Sequence, residues 1–307
     1  MKSPKKPLLV YVAGPTASGK TAVAIALAKW LDTEIISCDS RQFFKELNIG
    51  AAPPNPAELA EVPHHFVQHL SVNQPCNAGA FAEDALATLE TIYTRKDVAI
   101  MVGGSGLYAD AVLFGLDDLP KADKVVRQKL AALRAENGFS FLQNRLKDLD
   151  PEYFEKSDVA NPHRVVRALE VIETTGKTFS ELRIGLPAER PFNVIIIALD
   201  VPREVLYDKI NQRVDAMVAK GLEEEARQLM PLAHLQTLNT VGYKEWFAHF
   251  CGEISREAAI DLIKQNSRRF AKRQLTWLRR YQDAHWFAPA ELAGMLNLIR
   301  THLPLGN

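Results

Sequence analysis

The chain has 307 residues, 47% hydrophobic and 24% charged, with 37 basic side chains balancing 37 acidic ones. Length and composition give a globular protein of enzyme size, and zero net charge excludes a uniformly basic nucleic-acid coat, leaving only a local basic surface for such a partner. No apolar run approaches the roughly 20 residues of a membrane span, and Cys38, Cys76 and Cys251 lack zinc or disulfide spacing, so no membrane contact and a reducing cytoplasm are expected.

In chain order, LLVYVAG (8–14) follows basic residues as a signal peptide would, but it is short and leads straight into a glycine motif. It reads as a first buried strand, with TAVAIALAKWL (21–31) as the helix after it. EIISCD (34–39), VAIMV (98–102) and NVIIIAL (193–199) are nearly continuous in apolar residues, the pattern of strands inside a parallel sheet. Pro53, Pro54, Pro56 and Pro63 make 50–65 a surface loop, until FAEDALATLETIYTR resumes a helical pattern. Between Leu116 and Pro191 only helical spacing appears, bracketed by Pro120, Pro187 and Pro191, and 202–286 is mostly helical again. The expected architecture is α/β: a P-loop-type parallel sheet flanked by helices, spanning 1–115 and 192–307, with a helical insertion over 116–191.

GPTASGKT, that is Gly14, Pro15, Thr16, Ala17, Ser18, Gly19, Lys20 and Thr21, lies between predicted strand and helix with the spacing of a phosphate-binding loop. Its glycines let backbone amides curl around phosphate oxygens at a helix N-terminus, Lys20 adds a full charge, and the Thr21 hydroxyl is suited to a phosphate-bound Mg2+. The loop implies a diphosphate or triphosphate ligand and does not choose between them.

Asp39 falls at the carboxyl end of the second strand, where open α/β sheets bind ligands. Position alone leaves three readings: N-cap of a following helix, magnesium ligand through water, or general base. Ser105 follows a strand end and a glycine pair, the setting of a helix N-cap or of a close backbone approach to ligand. Cys38 reads as a small core residue, and adjacent His64 and His65 lack metal spacing. From Lys264 to Arg280 the helical period gathers Lys264, Arg268, Arg269, Lys272, Arg273, Arg279 and Arg280 on one half of the circumference, with Ile263, Phe270, Trp277 and Leu278 on the other. Such a face is either simply solvated or a phosphate-contact surface. Arg164 and Arg167, three apart behind Asn161 and Pro162, share a helix face of the insertion. No heptad seam is present, which points to a monomer.

GPTASGKT, DSRQ (39–42), GGSGLY (103–108), PHRVVRALEV (162–171), VGYKE (241–245) and KQNSRRFAKRQLTWLRR (264–280), in this order and spacing, resemble the tRNA dimethylallyltransferase (isopentenyltransferase) family over almost the whole chain. The phosphate loop is common to many families; DSRQ and the last basic segment are much more specific. The chain departs from the family pattern at Ser105 (usually threonine), at GAAPP (50–54, usually GTAKP) and at PHHFVQ (63–68, usually PHHLID), and it lacks the usual tyrosine near Cys76.

The resemblance implies transfer of a dimethylallyl group from its diphosphate to the exocyclic amine of the adenosine immediately 3′ of a tRNA anticodon, with Mg2+ as cofactor. It makes Asp39 the base and sets Lys20, Thr16, Thr21 with magnesium and an additional arginine, Arg213, against the leaving diphosphate. It gives contact with the tRNA anticodon stem-loop to Asp39, Ser40, Arg41, Gln42, Ser105 and Arg127, to His163, Arg164, Val165, Val166 and Arg167, and to Arg268, Arg269, Lys272 and Arg273. The insertion would grip the stem, while the target base is extruded into the site with Gln42 on its edge. The competing readings are a P-loop nucleotide kinase and an RNA-binding ATPase. Neither finds an acid at the end of VAIMV, which runs into GGSG.

Overall fold

A computed structural model describes residues 6–117, 119–121, 123–183, 185 and 187–303. They form two compact units, one running to Leu113 and resuming at Arg190, the other spanning Phe114–Glu189.

The first unit is built on β1 (Leu8–Ala13), α1 (Lys20–Leu31), β2 (Ile35–Ser37), α2 (Pro56–Glu61), β3 (His64–His65), α3 (Ala78–Tyr93), β4 (Val98–Gly103) and α4 (Gly106–Leu113). The second unit contributes α5 (Lys124–Asn137), α6 (Phe139–Leu149), α7 (Pro151–Lys156), α8 (Pro162–Thr175) and α9 (Phe179–Leu182). The first unit then continues with β5 (Asn193–Leu199), α10 (Arg203–Ala219), α11 (Leu222–Leu229), α12 (Lys244–Phe250), α13 (Arg256–Leu278), β6 (His285–Phe287) and α14 (Leu292–His302). The strands pair in parallel in the order β3-β2-β4-β1-β5-β6. Every residue of β1 and β4 is buried, which is why both faces of those strands are apolar. Leu8, Val10 and Val12 point to a layer made by Leu27 and Ala28 of α1 and by Met295 and Ile299 of α14. The alternate residue Tyr11 points the other way, and its hydroxyl donates to the Gly103 carbonyl.

Three segments differ from expectation. The proline-rich stretch contains α2, which Asn55 opens with a reciprocal capping box to Glu58 and Pro56 occupies at its first turn. His64 and His65 form β3 instead of a bare loop, and His65 Nε2 lies 2.8 Å from the Glu34 carboxylate. His285–Phe287 adds β6 at the other edge, within a stretch expected to be helical. Among the described residues no helix is long and apolar enough to cross a membrane.

The second unit has its own core, with Leu130 of α5, Leu142 and Leu146 of α6, and Val165 and Leu169 of α8 fully buried together.

Candidate active site

The turn between β1 and α1 takes its shape from two left-handed residues, Ala17 (φ 64°) and Gly19 (φ 88°); an αL position suits glycine and strains alanine. No side chain caps α1 and no acid sits in its first turn, so the positive end of the helix faces the loop uncompensated. Two loop amides have protein acceptors: Ser18 N–H donates to the Pro15 carbonyl (3.2 Å) and Thr16 N–H to Gln274 Oε1 (2.8 Å). Lys20 Nζ reaches the Pro15 carbonyl at 3.5 Å. Burial holds the Lys20 ammonium down at about 8, with Asp39 opposing the shift and Arg213 reinforcing it.

Beyond β2 the chain turns sharply. Asp39 Oδ1 accepts the Arg41 N–H (3.1 Å), and Gln42 N–H donates to the Asp39 carbonyl (3.0 Å), an Asx-type turn. No helix follows it, so the N-cap reading of Asp39 gives way to a turn cap that leaves the other carboxylate oxygen available. Ser105 likewise does not cap α4 with its side chain. Its carbonyl accepts the Tyr108 and Ala109 amides, while Oγ crosses to the Ser40 N–H (3.0 Å) and Ser40 Oγ (3.1 Å). Arg41 Nη1 donates to the Thr237 carbonyl (2.8 Å), and burial lowers its affinity for the proton. Gln42 is buried with its amide committed at both ends: Oε1 accepts from Ser37 Oγ (3.3 Å) and Nε2 donates to the Ala52 carbonyl (3.0 Å). These bonds fix the amide's orientation and leave its second N–H and second lone pair, at a residue that lines the cavity, for a base edge.

Two helices close the other side. On α10, Ile210, Arg213, Val214 and Met217 recur at i, i+3, i+4 and i+7 and so share a stripe. Along α13, Ile263, Ser267, Phe270, Gln274 and Trp277 do the same, with Arg273 beside them. The cavity between them is about 380 Å³, and Thr16, Lys20, Thr21, Asp39, Ser40, Arg41, Gln42, Ser105, Arg213 and Arg273 all line it. Burial lowers the Arg213 pKa and Asp39 resists the shift, so the three charged groups sense one another across this space. Gly14, Pro15, Ala17, Ser18 and Gly19 shape the loop without lining the cavity.

The basic helix is phased differently from expectation. Phe270, assigned to the packed half, is 39% exposed, whereas Gln274 is only 6% exposed. Arg269 and Lys272 project outward. Lys264 is charge-paired with Asp215 (2.6 Å), whereas Arg268 donates to the neutral Asn211 Oδ1 (2.6 Å) and keeps its charge. Sequence reasoning also missed Glu225. Its carboxylate accepts the amides of Asn48 (2.9 Å), Ile49 (2.8 Å) and Gly50 (2.9 Å) and the Tyr243 hydroxyl (2.7 Å), fixing the loop whose Gly50, Ala51 and Ala52 line the cavity. No sequence signal marks it, because one acid in a run of three on α11 resembles a solvated face.

The remaining predicted contacts lie in the second unit. Val165 is fully buried in its core, which corrects its assignment to a ligand surface; Val166 packs beside it, and His163 and Arg164 are exposed. Arg127 and Arg167 converge on Glu170, whose side chain is 1% exposed, at 3.0 Å each. Arg167 also donates to the Pro120 carbonyl (2.6 Å).

Residues 42–281 match the family model for IPP transferase. A tRNA dimethylallyltransferase of Christiangramia forsetii is 50% identical over 91% of this chain and 92% of its own length. Another, from Flavobacterium psychrophilum, is 43% identical over 96% and 98%. The crystal structure of the tRNA isopentenylpyrophosphate transferase of Bacillus halodurans, 36% identical, superposes with a TM-score of 0.71 over 97% of both chains. With the family model matching residues 42–281 and relatives this similar along nearly its entire length, the chain belongs to the IPP transferase family.

Proposed function

We propose that this chain transfers the dimethylallyl group from dimethylallyl diphosphate to the exocyclic amine of the adenosine immediately 3′ of a tRNA anticodon, releasing diphosphate. One observation carries the reading: Lys20 of the phosphate loop, the Asp39 carboxylate and a second cation, Arg213, line a single cavity, where Asp39 opposes the burial-driven lowering of both cations' pKa values. The names of the relatives support the same reaction.

The chemistry follows from what the amine lacks. Its lone pair is delocalised into the purine ring, so nucleophilic attack needs proton removal on one side and leaving-group stabilisation on the other. Asp39 accepts the proton with the oxygen its turn leaves available, a role associated with factors of about a hundred to ten thousand. As the N–C bond forms and the allylic C–O bond breaks, charge collects on the departing diphosphate, and Lys20, Arg213 and the loop amides meet it. Thr16 and Thr21 add hydroxyls at that end.

Among the described residues no group of three His, Cys, Asp or Glu side chains could cage a metal. Mg2+ binds through one or two protein oxygens plus phosphate oxygens, and the Thr21 hydroxyl beside Lys20 at the cavity is such an oxygen. Thr21 would hold it, and bound there it would neutralise charge on the leaving diphosphate. The anticodon stem-loop is met by Arg273 at the cavity and by outward-facing Arg269 and Lys272, with Ser40, Arg41 and Ser105 inside. Arg164, Arg127 and Arg167 supply cations on the second unit, and His163 lies exposed beside Arg164. The chain acts as a monomer in the cytoplasm.

A kinase or ATPase reading is disfavoured by the end of β4. A Cβ built on Gly103 falls 2.0 Å from the Cys38 carbonyl oxygen, so no metal-directing acid fits there. The test is Asp39→Asn, which keeps the turn cap but not the base. Single-turnover prenyl transfer should slow at least about a hundredfold while RNA affinity stays unchanged, and an undiminished rate removes Asp39 from the mechanism.

A further inference from the structure

We propose that Gln274 is a positioning residue that holds the leaving-group side and the proton-accepting side of the cavity in register; this rests on the prenyl-transfer reading above. Three observations carry it. The side chain is only 6% exposed, yet its amide is used at both ends: Oε1 accepts the Thr16 N–H (2.8 Å) and Nε2 donates to the Gly104 carbonyl (3.0 Å). The two partners belong to different loops, 258 and 170 residues away in sequence. Gly104 is shaped to receive it, since a Cβ there would lie 2.1 Å from Gln274 Nε2.

The link continues past Gly104. Its neighbour Ser105 accepts the Ser40 N–H on Oγ (3.0 Å) and donates its own amide to the Cys38 carbonyl (3.4 Å), bracketing Asp39 from both sides. One connected path therefore runs from Thr16 in the phosphate loop, through Gln274 and the 104–105 turn, to the backbone around Asp39. It also fixes what the Thr16 amide does: with Gln274 as acceptor it is turned away from the anion, so this peptide serves geometry and the remaining loop amides serve phosphate. The Gln274 amide bonds to Thr16 and Gly104, not to Lys20 or Asp39. Its effect is on the distance between them, and a misplacement of about 1 Å at such a site costs on the order of a hundredfold in rate.

The experiment measures single-turnover transfer from labelled dimethylallyl diphosphate to unmodified tRNA, with tRNA affinity measured separately, for wild type, Gln274→Met and Gln274→Glu. Methionine keeps the volume and abolishes both hydrogen bonds. Glutamate keeps an acceptor for Thr16 but sets a bare carboxylate oxygen against the Gly104 carbonyl, a conflict that protonation of the carboxyl relieves. We expect tRNA affinity within about twofold of wild type for both variants, and a rate loss of roughly a hundredfold in Gln274→Met. The rate of Gln274→Glu relative to wild type should climb as pH falls from 8 to about 5.5, towards the range where a carboxyl takes up its proton. Should the methionine variant fail to fold, the glutamate pH profile carries the test alone.

A wild-type rate in Gln274→Met, or a flat relative pH profile in Gln274→Glu, overturns the proposal. So does a rate loss matched by an equal loss of tRNA affinity. A wild-type protein that transfers no prenyl group overturns the parent reading and this one together, whereas normal wild-type transfer with unimpaired variants overturns this one only.

Discussion

Lys20 makes the pH dependence of diphosphate binding a quantitative consequence of the site. Burial holds its pKa at about 8, against roughly 10.4 for an exposed lysine. The folded chain thus gives up this proton earlier than the unfolded one, and the contribution of Lys20 to stability rises as pH climbs from about 8 towards 10. A diphosphate reverses the balance, because it favours the ammonium form. With half-protonation near 8, about nine-tenths of the unliganded protein carries the charge at pH 7 and about one-tenth at pH 9, so affinity for dimethylallyl diphosphate should fall roughly tenfold across that interval. The ligand does not confound this, since a terminal phosphate with a second pKa near 6 is ionised throughout. Isothermal titration without RNA, in two buffers of different ionisation heat, reads the affinity and the proton taken up together. At pH 8 uptake should be about half a proton per site. Lys20→Arg should remove both the pH dependence and the uptake, because a guanidinium stays charged. Constant affinity between pH 7 and 9 with no proton uptake in wild type would refute the assignment of Lys20 to the anion.

Two further outcomes separate structural from binding roles. In the second unit Glu170 is the buried member of its cluster, whereas the side chains of Arg127 and Arg167 are 54% and 30% exposed. Arg127→Ala with Arg167→Ala should therefore destabilise that unit by about 3 kcal/mol or more, and Glu170→Gln by only about 1–2 kcal/mol, as read from urea midpoints; the reverse order would contradict the burial argument. On α13, replacing outward-facing Arg269 and Lys272 with alanine should weaken tRNA binding regardless of sequence and reduce the slope of log affinity against log salt by about 1.5. An unchanged slope would return that face to solvent.

The parts of the site visible in the sequence are those set by local chemistry. GPTASGKT carries its geometry in its own glycines, and β1, β2, β4 and β5 stand out because buried parallel strands are apolar on both faces. β3 and β6, of two and three residues, are edge strands too short for any period to register. The Asn55–Pro56 start of α2, with Glu58 completing the box, was present in the sequence but hidden among prolines. On α13 the period was readable and the phase was not. The face holding Ile263 and Leu278 also holds Gln274, and Phe270 turns towards the cavity, because a cavity wall accepts an exposed aromatic and a buried amide that a plain core would reject. Gln274 could have been suspected from its place three residues after Ala271 and four before Leu278, both buried. What no local pattern could supply is the pairing of Thr16 with Gln274, or of Gly50 with Glu225, which only the tertiary fold creates.

The most direct measurement offers the wild-type protein unmodified tRNA, Mg2+, dimethylallyl diphosphate labelled in its allyl carbons and ATP labelled in its terminal phosphate. Allyl label entering the RNA at the adenosine after the anticodon, with equimolar diphosphate released and no phosphoryl label transferred, is the predicted result. Phosphoryl transfer or ATP hydrolysis without any allyl label in RNA would contradict the account at its centre.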